Sequence, residues 1–291
     1  MMVTPPNSTR ISKRFAELRA SGELGIVAYI VAGDPSLDAS LKYVLALAEG
    51  GADFIELGVP FSDPLADGPT IQRASERALK SGTTLAGVID LVRRIRKSTP
   101  PASEVPLVLF SYYNPILQMG LEKFASSAAA AGADGVLATD LTPEESDDYR
   151  RILAAQHLDT IFLGAPTSTD DRLAKIAACS SGFLYLISRT GVTGAKDALP
   201  DDLPALLRRS RAVTQLPLAV GFGISLPGHV SVLGGLADAA VIGSALVSEI
   251  ESATKSGSSA AASDALTALG NRIHALKEAA RHGLSRREVA P

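Results

Sequence analysis

The sequence predicts an α/β fold: a closed (β/α)8 barrel with one extra helix before the first strand and one after the last. Three observations carry this expectation. Short apolar runs recur eight times, each followed by a stretch of helical character, and most are continuous in apolar residues rather than alternating. Continuous runs belong to parallel strands buried on both faces, as a sheet covered by helices requires.

The elements follow in order. Residues 11–20 form the leading helix, and 25–31 (GIVAYIV) is the first strand, apolar throughout. An Ala/Leu-rich helix at 41–49 leads to the second strand, 53–57 (DFIEL), and a helix at 84–97 to the third, 106–110 (PLVLF). The helix at 121–131 precedes a fourth strand at 135–139 (GVLAT), and the helix at 144–155 a fifth at 160–164 (TIFLG). Residues 170–178 are helical before the sixth strand, 183–187 (FLYLI), and 203–210 before the seventh, 217–220 (PLAV). The eighth strand is 239–242 (AAVI), and 264–281 is the trailing helix. Residues 255–263, rich in Ser and Ala, read as a flexible connection to it. No composition shift marks a boundary, so residues 1–291 form one domain. The alternative is an open doubly wound sheet, but no Gly-rich dinucleotide fingerprint follows the first strand, and Gly221-Phe222-Gly223 has the wrong spacing to Gly228.

Composition limits the function classes. With 291 residues, 46% hydrophobic and 20% charged, the chain is long enough to bury roughly 75% of its unfolded surface without a disulfide or metal. Its single cysteine, Cys179, can form neither an internal disulfide nor a multi-cysteine zinc site, which favours a reducing, cytoplasmic setting. Lys plus Arg number 28 against 31 Asp plus Glu, so a net charge of -3 provides no field for a nucleic-acid backbone. The opening MMVTPPNSTR lacks the apolar stretch of a leader, and no apolar run reaches a membrane span, so a soluble, uncleaved protein is expected.

In such a barrel the reactive groups sit where strands end and βα loops begin. Glu56 stands near the end of the second strand among apolar residues, where a charge is costly unless paired or protonated. A salt bridge to a neighbouring strand is the structural alternative. The loop after it carries Asp63 and Asp67 among three prolines that restrict its backbone. Either Asp can serve as a turn or helix cap, whereas two carboxylates in different surroundings can divide acid and base roles. His157, His229, His274 and His282 lie away from the strand ends with no ligand spacing, so a His-ligated metal is disfavoured and each reads as a surface or packing residue. No Lys stands at a strand end to form a Schiff base, Lys196 in a loop being the nearest. Gly221-Phe222-Gly223-Ile224-Ser225 after the seventh strand and Gly243-Ser244 opening the helix after the eighth mark a phosphate site, and a third Gly-rich loop, 189–194, follows the sixth. For any one of these glycines a tight turn is an equal reading, and three clusters together favour phosphate.

The string at 56–72, ELGVPFSDPLADGPTIQ, resembles the tryptophan synthase α-subunit family. The other stations follow in order: Gly33-Asp34-Pro35, Tyr112-Tyr113-Asn114-Pro115, the 185–194 segment YLISRTGVTG, Gly221 to Ser225, and Gly243-Ser244. The resemblance spans about residues 15–276. It implies a lyase of L-tryptophan biosynthesis that cleaves indole-3-glycerol phosphate to indole and D-glyceraldehyde 3-phosphate by a retro-aldol reaction, with no cofactor in this chain. By the family motif Glu56 is the acid-base group, Asp67 holds the indole N–H and balances the charge on the protonated ring, and Tyr185 positions Glu56. Gly194, Gly223, Gly243 and Ser244 bind phosphate, and Tyr29, Phe110, Tyr112, Leu137 and Leu163 line the indole pocket. The resemblance further implies a pyridoxal-phosphate β subunit as partner in an αββα heterotetramer, docked against Asp63, Pro64 and Asn114. Val31, Thr139 and Phe183 depart from the family's usual residues without touching a catalytic station. Two other readings stay open: a different phosphate-sugar barrel enzyme, and a regulatory subunit that binds the substrate without cleaving it.

Overall fold

The computed structural model describes residues 9–187, 199–221 and 223–282. Gly194, Lys196 and the 189–194 loop lie outside them. Among the described residues, nine strand segments pair in parallel: β1 (Gly25–Val31), β2 (Phe54–Gly58), β3 (Leu107–Ser111), β4 (Gly135–Ala138), β5 (Asp159–Ile161), β6 (Leu163–Gly164), β7 (Leu184–Ile187), β8 (Leu218–Gly221) and β9 (Ala239–Ile242). Their order is β5-β4-β3-β2-β1-β9-β8-β7-β6. Because β5 and β6 are consecutive pieces of one strand parted at Phe162, the two ends of that order meet and the sheet closes. The single strand expected at 160–164 is thus divided. Its first half pairs with β4 and its second with β7, and the stagger of closure falls between them.

Twelve α-helices are described: α1 (Arg10–Ser21), α2 (Leu37–Glu49), α3 (Pro69–Lys80), α4 (Leu85–Arg96), α5 (Tyr113–Met119), α6 (Leu121–Ala131), α7 (Asp147–Ala155), α8 (Asp170–Cys179), α9 (Leu203–Val213), α10 (Pro227–Leu233), α11 (Ser244–Ser256) and α12 (Ser259–His282). Three of them, α3, α5 and α10, have no counterpart in the helices read from the sequence. Helix α2 begins four residues before the expected 41, because Ser36 caps it by accepting from Ala39 N–H at 3.2 Å. The flexible connection expected over 255–263 is mostly helical, with only Gly257 and Ser258 between α11 and α12.

Alternate strand residues face the barrel interior or the helices, and the buried apolar residues divide accordingly into an inner cluster around Val27, Tyr29, Phe54, Phe110 and Tyr185 and a larger outer one. Ile11, Phe15 and Leu18, spaced by four and three along α1, are buried in the inner cluster, and Phe15 stacks on Phe54 with ring centroids 4.4 Å apart. Helix α1 therefore plugs the N-terminal end of the barrel, leaving the carboxyl ends of the strands for chemistry.

Three aspartates brace that N-terminal end in one repeated way. Asp53, Asp134 and Asp238 each stand immediately before a strand and accept an N–H from the opening residues of the strand before it: Ile26 at 2.7 Å, Leu107 at 2.8 Å and Leu218 at 2.8 Å. Each also meets a cation, Lys277 and Arg14 at Asp53, Arg96 and Arg10 at Asp134, and Arg211 at Asp238. A buried ion pair broken on one side leaves an uncompensated charge, so Asp134→Ala is expected to cost ~3–5 kcal/mol of stability. Urea unfolding should show this as a lower midpoint at unchanged slope. An unshifted midpoint would remove the brace.

Candidate active site

Glu56 lies mid-way along β2, with Tyr29 of β1 and Val108 of β3 as its ladder partners. It is 0% exposed, and among the described residues neither carboxyl oxygen has a hydrogen-bond partner. The salt bridge weighed as an alternative is absent among the described residues. Removal from water penalises the carboxylate alone and pushes the Glu56 pKa up to about 8, so at neutral pH the group carries its proton.

Asp67 ends the loop that leaves β2. Tyr112 Oη donates to its Oδ2 at 3.1 Å and accepts from Ala66 N–H at 2.9 Å, while Gln72 Nε2 donates to the Asp67 carbonyl at 2.9 Å. The loop is therefore held by side chains from β3's end and from α3. Burial raises Asp67 to about 6, with the Tyr112 hydroxyl acting against the rise. Two carboxyl groups with different surroundings thus stand at different protonation states at pH 7, Glu56 neutral and Asp67 ionised.

Tyr29 and Tyr185 form the walls. Their hydroxyls lie over glycines of the adjoining strands: a Cβ on Gly58 would fall 2.4 Å from Tyr29 Oη, and one on Gly221 2.2 Å from Tyr185 Oη. Only glycine leaves room there. Phe110 packs edge-on against both rings, at centroid distances of 5.2 and 6.3 Å. Above them opens a cleft of about 550 Å³ of empty space, lined by Tyr29, Asp67, Ile71, Phe110, Tyr185, Gly223, Ile224, Ser225, Val241, Gly243, Ser244 and Ala245.

The far end of the cleft has the character of an anion site. Gly243 precedes α11, whose first-turn N–H groups have no intrahelical partner, and Ser244 and Ala245 of that turn line the cleft. Opposite stands the 223–225 loop, with Gly223 at φ +98°. His229, buried at 5%, braces this loop through Ser225 N–H at 3.4 Å to its Nδ1. It is a packing residue, as expected, but one directly behind the cleft.

Of the residues expected in the indole pocket, Tyr29 and Phe110 line the cleft, whereas Tyr112, Leu137 and Leu163 do not. Tyr112 is instead occupied with Asp67 and Ala66. Leu137 is fully buried beside Phe110 in the ladder, and Leu163 pairs with Tyr185. The sequence reading missed Ile71, Ile224 and Val241 on the cleft wall, and Gln72 beneath the Asp67 loop. Ile71 and Gln72 fall at the end of the 56–72 string, which was the available signal. Asp63 and Asn114 are exposed and Pro64 half-buried, on the same rim as Leu65, 94% exposed. No cluster of His, Cys, Asp and Glu fit to hold a metal occurs among the described residues.

The profile of the tryptophan synthase alpha chain family matches residues 15–278. The chain belongs to that family. A tryptophan synthase alpha chain of Solibacter usitatus is 53% identical over 243 residues, covering 84% of this chain and 90% of that one. That of Citrifermentans bemidjiense is 48% identical over 270 residues, 93% and 97% of the two chains. The crystal structure of tryptophan synthase subunit alpha from Legionella pneumophila superposes with a TM-score of 0.84 at 36% identity, covering 94% of this chain and 99% of that one. A structure of Mycobacterium tuberculosis tryptophan synthase gives 0.83 at 35%, covering 94% and 98%. The (β/α)8 barrel expected from the sequence is therefore the architecture of this alpha-chain family member.

The alpha chain's Gly243 allows a clean test of the anion site. A Cβ there would meet nothing nearer than Tyr29 Cδ1 at 3.4 Å, so the fold accommodates a side chain while the ligand's approach to the backbone is blocked. Gly243→Asp adds a like charge. Calorimetric titration with glycerol 3-phosphate should show binding weakened at least about 100-fold, ~2.7 kcal/mol, at an unchanged melting temperature. Unaltered binding would place the anion elsewhere.

Proposed function

We propose that this chain cleaves indole-3-glycerol phosphate to indole and D-glyceraldehyde 3-phosphate, as the alpha subunit of a tryptophan synthase. The observation that carries the reading is the pair of carboxyl groups, a neutral buried Glu56 and an ionised Asp67, beside a cleft whose far end is built for an anion. The substrate phosphate sits on the α11 N-terminus and the backbone at Gly223, Gly243 and Ser244. The ring lies between Tyr29, Phe110 and Tyr185. Glu56 delivers its proton to indole C3, and the ionised Asp67 accepts the ring N–H and offsets the positive charge that results. The carbon–carbon bond then breaks, its electron pair returns to the ring, and Glu56, now a carboxylate, takes the hydroxyl proton of the departing glyceraldehyde phosphate. No step requires a metal or an organic cofactor.

This cycle needs Glu56 protonated and Asp67 ionised in the free enzyme, which defines its pH dependence. The kcat/KM for indole release is expected to rise through about pH 6 and fall through about pH 8. A profile flat from pH 5 to 9 would separate these two groups from the reaction.

The rim carrying Asp63, Pro64 and Asn114 receives the β subunit, which holds pyridoxal phosphate and takes up the indole, in an αββα assembly. The exposed Leu65 lies on the same loop as Asp67, so docking and catalysis share one segment. No described helix is long and apolar enough to cross a membrane, and the chain works in the cytoplasm. The deciding experiment is indole release from indole-3-glycerol phosphate by the purified chain, with and without a β subunit. Release that rises with the β subunit, by the ~5- to 150-fold of typical coupling, supports the whole reading. Substrate binding without release would leave a regulatory subunit, and turnover of sugar phosphates lacking indole would leave a different barrel enzyme.

A further inference from the structure

A second set of buried charges lies on the catalytic side of the barrel, outside the cleft, and the reaction above does not use it. Asp34, 1% exposed in the loop that follows β1, receives a two-pronged pair of bonds from Arg77 of α3, Nε to Oδ1 at 2.8 Å and Nη2 to Oδ2 at 2.7 Å. The remaining arm of Arg77 reaches Glu251 of α11 at 3.2 Å. Glu251, 6% exposed, is gripped again by Arg73, one turn earlier on α3, with both contacts at 2.8 Å, and its carboxyl is held down at about 2 by that guanidinium. Lys255 adds a contact at 3.1 Å from the next turn of α11.

The placement of these helices gives the cluster its meaning. Helix α3 begins two residues after Asp67, and its first turn supplies Ile71 to the cleft wall and Gln72 to the Asp67 carbonyl. Helix α11 begins at Ser244, the anion end of the same cleft. Each helix is rigid on the scale of an ångström, so what joins them fixes the distance between their starts. The only ionic tie between them among the described residues is Arg77 and Arg73 on the buried Glu251 carboxylate, with Asp34 anchoring Arg77 to the barrel. A planar guanidinium can hold two carboxylates at once in set directions, which an ammonium cannot.

We propose that Arg77 is a positioning residue: bound to Asp34 and Glu251 together, it sets the spacing between the anion-binding end of α11 and Asp67 at the start of α3. A substrate held by phosphate at one end then presents its ring N–H at the place where Asp67 stands. The inference rests on the function proposed above and adds the device that measures substrate length.

Misplacement of a catalytic group by about 1 Å can cost ~100-fold in rate. Arg77→Met should therefore lower kcat for indole release by ten- to 100-fold, while the affinity for glycerol 3-phosphate stays within about threefold, because the anion end of α11 is itself intact. Arg77→Lys, which keeps the charge but not the fork, should fold as well as wild type and recover less than half of the lost kcat. The chain contains no tryptophan, so Leu65→Trp, on the exposed tip of the Asp67 loop, gives a single reporter that needs no turnover. Adding Arg77→Met to it should lower the fluorescence anisotropy of that Trp. If Arg77→Met is incompletely folded, Glu251→Gln, which keeps shape and one acceptor, should reproduce both effects in milder form. Unchanged kcat and unchanged anisotropy in folded variants overturn the proposal, as does a fall in kcat that matches the folded fraction alone or is fully restored by Arg77→Lys. A wild-type chain that releases no indole, with or without a β subunit, overturns the function instead, and the anisotropy of the Leu65→Trp pair still decides the strut.

Discussion

Glu56→Gln should nearly abolish indole release while making the protein more stable. The amide has the shape of the neutral acid that burial enforces, so the inner cluster around Tyr29 and Phe110 has no reason to rearrange. What disappears is the proton, and loss of a general acid-base group costs ~10²- to 10⁴-fold in rate. The gain in stability follows from the raised pKa. Below about pH 4.5 the wild-type group is neutral in both folded and unfolded chains, and nothing is lost. Between that pH and about 8 the unfolded chain releases a proton that the folded chain keeps, so wild-type stability falls by ~1.4 kcal/mol per pH unit and is not recovered above that window. Gln has no such slope. The melting-temperature difference, variant minus wild type, is therefore expected to grow in the variant's favour from pH 5 to pH 8, equivalent to ~3 kcal/mol or more. Activity within a few-fold of wild type, or a difference independent of pH, would remove Glu56 from the role of buried acid.

Asp67→Asn is the companion case, and here the structure separates charge from geometry. The amide oxygen can still accept from Tyr112 Oη, and Gln72 holds the backbone carbonyl regardless of the side chain, so the loop keeps its place. Only the negative charge goes. Charge that develops in a transition state without its preorganised partner typically costs ~10²- to 10³-fold in kcat. The acidic limb of the pH profile near 6 should vanish with it, leaving a single descending limb near 8. A variant with weakened substrate affinity and full turnover would assign Asp67 to binding alone.

Much of the architecture was legible in the residues themselves. Parallel strands buried on both faces are apolar throughout, and runs such as 25–31 and 239–242 fit that place in a globular chain of this size. Glu56 stood out for the same reason, as the one carboxylate inside such a run, and the 56–72 string with the late glycine pairs located both ends of the cleft. Element ends were less legible. The split of the fifth strand at Phe162 depends on where barrel closure changes its pairing partner, and α5 and α10 are seven-residue helices too short to show a clear period.

The sequence by itself therefore determined which faces must be buried, hence the barrel with a helix before its first strand, and the strand in which an ionisable group would be trapped. Such properties are local, because the transfer of a side chain from water depends on its own chemistry and spacing. Only the tertiary structure decided that Glu56 has no partner, that Tyr112 serves Asp67 rather than the cleft wall, and that Arg77 ties Asp34 to Glu251, 217 residues further along the chain. Protonation state and spacing depend on which groups from distant strands and helices arrive within about 3 Å, and no local pattern encodes that meeting.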